Sequence, residues 1–274
     1  AFSNVEPIAL SDFETAWPEI KRSIEGLGCS SITMIGSTGK KDPMGDIDLA
    51  AEFDGTREDF FGVAREQFGD DSVTKSGMNI VSISYPLDSK HVQVDIMLGN
   101  TKYLVWSRKG MSTIEGHPDY SPVKGMARNV LFNVAMRFTA PASFPGMQSD
   151  VERVRYSVDS DLGLFKVIQT KRNKDASKSP IKNWRTVDRK LVSDDPDVIA
   201  QVMFGKGFRA KNLLSFEDVV RAIKTSPVTR DVAKRVFETF IEEMRVFVEK
   251  RPHVLGDDPN GVLEYMRNIT LESS

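Results

Sequence analysis

Residues 35–50 read Ile35-Gly36-Ser37-Thr38-Gly39-Lys40-Lys41-Asp42-Pro43-Met44-Gly45-Asp46-Ile47-Asp48-Leu49-Ala50. This stretch sets a Gly-Ser turn ahead of two aspartates at alternate positions of a predicted strand. Successive side chains of a strand point to opposite faces, so Asp46 and Asp48 share one face and the apolar side chains take the other. A third aspartate, Asp95, alternates in the same way with apolar residues of a second predicted strand, residues 91–98. If the two strands are neighbours, the three carboxylates meet.

Three carboxylates at one place favour a particular chemistry. They repel one another, and their burial without compensation raises their pKa values or favours unfolding. Divalent cations relieve this repulsion, and oxygen ligands suit Mg²⁺ or Mn²⁺. Two such ions about 3.5 to 4 Å apart can hold attacking and leaving oxygens in line around phosphorus. The carboxylates therefore predict two metal ions and nucleotidyl transfer.

The turn ahead of the aspartates has a matching feature. Gly36 allows close backbone approach, and the Ser37 hydroxyl and the loop N–H groups can donate to phosphate oxygens. Lys40 and Lys41 can neutralise a triphosphate. A solvated hairpin turn is the alternative interpretation of the loop alone.

The pattern apolar-Gly-Ser, short loop, Asp-apolar-Asp-apolar resembles the signature of the DNA polymerase β-like nucleotidyltransferase superfamily. The resemblance covers about residues 10–138. It implies transfer of a nucleoside monophosphate from an NTP, ATP among them, to a hydroxyl acceptor, with release of pyrophosphate. The residues that it maps are Gly36 and Ser37 to the triphosphate, Asp46 and Asp48 to both metal ions, and Asp95 to the catalytic ion and to the base that deprotonates the acceptor.

Two departures from the family pattern lie in the loop. Eight residues separate Ser37 from Asp46, which is toward the short end for the family. Gly39 and Pro43 weaken the short helix that often follows Gly-Ser. Phosphate contacts are then expected from a loop rather than from a helix N-terminus.

Other interpretations of the same residues stay open. An Asp-x-Asp pair also occurs in metal-dependent glycosyltransferases that bind nucleotide sugars. A noncatalytic nucleotide or nucleic-acid binding module on the same fold is a further alternative. A P-loop is excluded, because that motif needs Gly at position 34 and Ser or Thr at position 41, where this chain has Met34 and Lys41.

The composition of the chain limits its binding partners and its cellular compartment. The net charge of −2 over 274 residues argues against holding nucleic acid through a large overall positive field. The single cysteine, Cys29, cannot form an intramolecular disulfide, and no apolar run approaches the roughly 20 residues of a membrane span. The first residues lack the basic and apolar regions of a signal peptide. We expect a cytoplasmic protein without a membrane partner.

The periodicity of apolar residues predicts an α+β protein of two domains. Residues 1–140 are expected to form a nucleotidyltransferase-like catalytic domain with a small mixed sheet flanked by helices, and residues 147–274 a mainly helical domain with a short β-hairpin. The boundary is placed in the Pro- and Gly-containing stretch 139–146. The predicted helices are 12–27, 58–68, 124–138, 196–204, 215–224, 229–250 and 260–268, and the predicted strands are 31–35, 46–53, 79–85, 91–98, 155–160 and 163–170.

Two basic stretches are further candidates for binding. Residues 171–190 carry eight Lys or Arg against two Asp, a local net charge of +6, with Trp184 among them. Such a segment can follow a nucleic-acid backbone, so RNA is a candidate acceptor. A solvated loop with Trp184 packed on the core is the alternative. The stretch Ser107-Arg108-Lys109-Gly110 is expected to be exposed at the surface, and a contribution of its cations to an incoming nucleotide is the alternative.

Overall fold

A computed structural model describes residues 2–172 and 183–272. The chain divides into two compact units, Ala1–Gly125 and Met126–Ser274. Within the described ranges, no helix combines the length and the apolar character that a membrane crossing requires.

The first unit is built on one five-stranded sheet with the order β1-β2-β5-β4-β3. All neighbouring strands are antiparallel except β2 and β5, which run parallel. The strands are β1 (Cys29–Met34), β2 (Ile47–Phe53), β3 (Val73–Ser76), β4 (Ile80–Leu87) and β5 (Lys90–Leu98).

Three helices accompany this sheet, namely α1 (Leu10–Glu25), α2 (Arg57–Phe68) and α3 (Thr101–Ser107). The apolar stripes of α1 and α2 join one face of the sheet in a single buried cluster. That cluster contains Ile47 and Leu49 of β2, whose alternate neighbours therefore lie on the opposite face. A smaller apolar cluster on that opposite face includes Ala50, Met97 and Leu104. The carboxylates thus lie on the face that α3 partly covers.

The α+β architecture and the mixed sheet flanked by helices confirm the predicted fold class. Each predicted helix and strand of this unit up to residue 98 is present, with ends shifted by a few residues. The short strand β3 and the short helix α3 were not predicted. Both hold few residues, so neither shows a full period of apolar spacing.

The second unit combines a three-stranded antiparallel sheet, of order β6-β7-β8, with helices. Its predicted hairpin and mainly helical character are present. Its elements are α4 (Gly125–Ser143), β6 (Glu152–Asp159), β7 (Gly163–Lys171), β8 (Trp184–Ser193), α5 (Pro196–Phe204), α6 (Phe216–Thr225), α7 (Ala233–Lys250) and α8 (Pro259–Arg267).

The division between the units falls after the first residue of α4, whereas the sequence placed the boundary beyond this helix, at residues 139–146. Helix α4 is anchored in the second unit by specific contacts. The fully buried Arg128 donates hydrogen bonds to the carbonyls of Leu213 and Leu214, at 3.2 and 2.8 Å. Asn133 accepts a hydrogen bond from the Val158 N–H at 3.0 Å. The helix also continues to Ser143, five residues beyond its predicted end.

The basic stretch 171–190 contains the start of β8, where no strand was predicted. Trp184 is half-buried, and the guanidinium of Arg153 lies 4.2 Å from the centre of its ring. Lys174, Asp175, Lys178 and Lys182 lie outside the described residues. A contact between this stretch and nucleic acid stays a prediction.

Candidate metal centre

The parallel pairing of β2 and β5 brings the three aspartates together. Asp48 lies directly opposite Asp95 in the register of the two strands, and Asp46 is the residue before β2 begins. One oxygen from each of the three carboxylates lies within 4.8 Å of the others. All three residues are half-buried, whereas Ile47 between the first two is completely buried. The alternation predicted from the sequence therefore places Asp46, Asp48 and Asp95 on one face.

Burial and the neighbouring carboxylates raise the pKa values of Asp46 and Asp48. Burial, followed by the charges of Asp46 and Asp95, raises the pKa of Asp48 to about 7. Burial and the charge of Asp95 likewise raise the pKa of Asp46. The positive charges of Lys41 and Arg108 oppose the shift at Asp48 without cancelling it. The site therefore holds more negative charge than its own cations neutralise.

Asp95 is oriented by a neighbour on its own strand. The side-chain amide of Gln93 donates to both carboxylate oxygens of Asp95, at 3.1 Å each. Residues two apart on a strand share a face, so this contact follows from the sequence spacing. It restricts the rotation of the Asp95 carboxylate.

The Gly-Ser loop, residues 36–41, folds directly onto Asp48. Gly36 has a φ of +59°, and a Cβ atom there would lie 2.8 Å from Oδ2 of Asp48. The Thr38 hydroxyl accepts a hydrogen bond from the Asp48 N–H at 2.7 Å, and the Ile35 N–H donates to the Asp48 carbonyl at 3.0 Å. Only glycine meets both the left-handed conformation and the close approach at position 36.

The loop between β1 and β2 consists of turns and bends. Ser37 lies in it half-buried, one residue from the Gly36 contact with Asp48. Backbone N–H groups here belong to a loop rather than to the first turn of a helix, which agrees with the expectation drawn from Gly39 and Pro43.

The two loop lysines have different surroundings. The positive charge of Lys41 acts on Asp46 and Asp48 and partly opposes the rise in the pKa of both carboxyls. Lys40 instead donates to the carbonyl of Gly110 at 3.0 Å and pairs with Asp119 at 3.0 Å. Burial lowers the pKa of the Lys40 ammonium, and the Asp119 carboxylate opposes this effect.

The expectation that residues 107–110 are exposed was wrong. Ser107 is 2% exposed, and the three residues that follow are half-buried. Gly36 donates its N–H to the Arg108 carbonyl at 2.8 Å, and Gly110 donates back to the Gly36 carbonyl at 3.0 Å. A Cβ at position 110 would lie 2.2 Å from the carbonyl of Gly36. This stretch is therefore the support beneath the Gly-Ser loop.

Asp119 is a second residue that the sequence did not single out. It pairs with Lys40 and, at 3.1 Å, with Lys109, and so it ties the Gly-Ser loop to its support. The sequence contained no specific signal for this arrangement, because a glycine such as Gly110 permits a close backbone approach but does not say which segment approaches it.

Comparison with known proteins gives distant likenesses among solved structures. No family model and no curated protein matches the chain. Among solved structures, the chain is similar to the polymerase β of Leishmania infantum in a ternary gap complex, with 16% sequence identity and a TM-score of 0.35. The match covers 59% of this chain and 51% of that one, so it spans about half of the polymerase chain. At this level the likeness carries no inference about activity.

Proposed function

We propose that this protein is a metal-dependent nucleotidyltransferase that moves a nucleoside monophosphate from an NTP to a hydroxyl acceptor and releases pyrophosphate. The observation that carries the proposal is the convergence of Asp46, Asp48 and Asp95 beside the Gly-Ser loop. A structural role does not require three carboxylates that repel one another. Phosphoryl transfer does require such a cluster, because the carboxylates hold the cations that bring the phosphate and the acceptor together.

The donor set fits a hard divalent cation. The three ligand atoms are carboxylate oxygens close enough to share one ion, and no histidine or cysteine belongs to the cluster. Magnesium and manganese prefer such oxygen ligands. The raised pKa values of Asp46 and Asp48 indicate an unmet demand for positive charge. We therefore assign Asp46, Asp48 and Asp95 as the ligands of Mg²⁺ or Mn²⁺, with two ions expected.

When bound there, the ions would neutralise charge on the phosphate oxygens and increase the acidity of an acceptor hydroxyl. Asp95, oriented by Gln93, is assigned as the base that receives the proton of that hydroxyl. The acceptor oxygen then bonds to the α-phosphorus as the bond from that phosphorus to the pyrophosphate oxygen breaks. The Ser37 hydroxyl and its backbone N–H are assigned to the phosphate oxygens. Gly36 contributes by allowing the close approach of the loop to Asp48, because its own N–H donates to the Arg108 carbonyl.

The two loop lysines, Lys40 and Lys41, are assigned different roles. Lys41, whose charge already acts on the carboxylates, is assigned to the triphosphate. Lys40 is assigned to the shape of the loop, because its ammonium contacts the Gly110 carbonyl and Asp119. Among the acceptors, an RNA end is favoured by the basic stretch 171–190.

The test incubates the full chain with each labelled NTP, Mg²⁺ or Mn²⁺, and separate RNA, DNA, protein and metabolite pools. We expect metal-dependent labelling of one pool with release of pyrophosphate. Asp46→Asn should reduce the rate by at least about 100-fold, since it removes a metal ligand. Asp71→Asn, which removes an exposed carboxylate outside the cluster, should keep the rate within about twofold.

Other outcomes would assign a different function. Unchanged transfer by Asp46→Asn would remove the carboxylates from the mechanism. Nucleotide binding that calorimetry finds independent of Mg²⁺, without pyrophosphate release from any pool, would favour a noncatalytic binding module. Transfer of sugar from a nucleotide sugar would favour a glycosyltransferase.

A further inference from the structure

A pair of arginines in the second unit is held in place by one buried amide. Arg153 and Arg155 occupy alternate positions of β6, so their side chains share a face of the three-stranded sheet. The Nε–H groups of both donate to the same oxygen of Gln169, at 2.9 and 3.1 Å. Gln169 is 6% exposed, and its own amide donates to the Thr186 hydroxyl at 3.3 Å. Each guanidinium uses its Nε–H in a hydrogen bond to Gln169, so its terminal N–H groups remain as donors for another group.

The rest of the face restrains the pair further. The guanidinium of Arg153 lies 4.2 Å from the centre of the Trp184 ring, a cation–π contact. A third guanidinium, that of Arg137 in α4, is close enough to lower the pKa of both arginines. Burial contributes most to these shifts and brings the pKa of Arg153 to about 10. Three cationic groups are thus concentrated in a half-buried place.

Other arginines near this sheet have acidic partners. Arg189 pairs with Asp159 at 3.1 Å, and Arg137 pairs with Glu243 at 2.6 Å. Within residues 2–172 and 183–272, no carboxylate lies at ion-pair distance from Arg153 or Arg155. The fold therefore fixes two guanidinium groups side by side, and the described part of the chain places no carboxylate in an ion pair with either of them.

We propose that Arg153 and Arg155 form a binding site for a phosphate group. Guanidinium groups present paired N–H donors that match the oxygens of phosphate, and two oriented groups surround the anion better than two mobile lysines. Gln169 and Trp184 are positioning residues, because they hold the guanidinium groups before the anion arrives. The site involves none of the aspartates, so it does not depend on nucleotide transfer.

The test measures anion binding by the full chain in EDTA, which removes any contribution from a metal centre. The two probes are inorganic phosphate, followed by calorimetry, and a fluorescent 12-nucleotide single-stranded RNA, followed by anisotropy. They distinguish a free anion from a phosphodiester. The variants are Arg153→Gln/Arg155→Gln and a matched control, Lys206→Gln/Lys211→Gln, which removes two exposed positive charges of the same unit.

We expect the arginine double variant to bind at least one probe about tenfold more weakly or worse, while the lysine control stays within about twofold. If the RNA is the ligand, the slope of log K against log salt should fall by about 0.7, the value for one phosphate contact on a single strand. Arg153→Lys/Arg155→Lys keeps the charge but loses the paired donors. It should also bind more weakly than the wild type, which separates geometry from net charge.

Three results would overturn the proposal. The first is no binding of either probe by the wild-type protein. The second is an equal loss in the arginine and lysine variants, which would indicate a diffuse positive field. The third is full retention of binding by the arginine double variant. Far-ultraviolet circular dichroism and thermal melting of each variant establish that the compared proteins are folded.

Discussion

Replacing Asp48 with Asn should stabilise the metal-free protein at neutral and alkaline pH. Burial and the charges of Asp46 and Asp95 raise the pKa of Asp48 to about 7. The ordinary pKa of an aspartate is about 3.9. The difference from this value corresponds to a loss of roughly 4 kcal/mol in the free energy of unfolding when Asp48 is ionised. An asparagine keeps the shape of the side chain and carries no charge, so it avoids this loss.

The sign of the pH dependence follows from proton binding. The folded protein binds the Asp48 proton more tightly than the unfolded chain does. The free energy of unfolding of the wild type therefore falls as pH rises between about 4 and 7 and stays reduced above that window. The advantage of Asp48→Asn should be near zero at pH 4 and should reach about 4 kcal/mol by pH 8.

Urea unfolding in EDTA over this pH series measures the difference, with Asp71→Asn as the control for loss of an exposed carboxylate. Added Mg²⁺ should reduce the advantage, because only the wild type keeps all three carboxylates for the cation. A variant no more stable than the wild type at pH 8, or an advantage that does not change with pH, would refute the electrostatic reasoning.

Three further perturbations test the support of the site and the core. Gly110→Ala should lower the free energy of unfolding by about 3 kcal/mol, because the new Cβ would lie 2.2 Å from backbone atoms of the Gly-Ser loop. The control is Gly62→Ala in α2, where a Cβ would have no atom within 4 Å. This control should raise the free energy of unfolding by about 0.5 to 1 kcal/mol. Equal effects in urea unfolding would contradict this. Asp119→Asn should cost about 1 to 3 kcal/mol at pH 7, because two half-buried ammonium groups lose their partner, and unchanged urea unfolding would count against that role. Burial raises the pKa of the Cys29 thiol to about 11. This thiol should therefore react with a disulfide reagent at pH 8 about 100-fold more slowly in the folded protein than in the urea-unfolded protein. Equal rates would argue against its burial.

The face on which the carboxylates lie could be predicted because it depends on local alternation alone. A slip of one residue in β2 would bury Asp46 and Asp48 in the apolar core, so the pattern leaves one acceptable orientation. The pairing that brings Asp95 opposite Asp48 is parallel and joins strands distant in sequence. The sequence indicated that these strands could be neighbours but contained no turn that specified their register.

The support of the Gly-Ser loop could not be predicted in the same way. Residues 107–110 act through backbone hydrogen bonds to Gly36, and backbone groups leave no pattern in the side chains. Strand β8 poses a similar problem, because nearly all of its residues are exposed and no apolar face alternates with a polar one. The apolar stripe of α4 indicated burial, but it did not indicate the unit in which the helix is buried.

Both compact units contain the same electrostatic arrangement with opposite signs. Asp46 and Asp48 are like charges two residues apart at β2, and Arg153 and Arg155 are like charges two residues apart in β6. A third group of the same sign comes from another element in each unit, namely Asp95 of β5 and Arg137 of α4. A glutamine side chain forms hydrogen bonds with members of each cluster, Gln93 in the first unit and Gln169 in the second. Such charges could be exposed at little cost, yet the fold holds them half-buried and close together, where their repulsion lowers stability. A ligand of opposite charge would remove that penalty, and this shared reasoning supports both the proposed cation site in the first unit and the proposed anion site in the second.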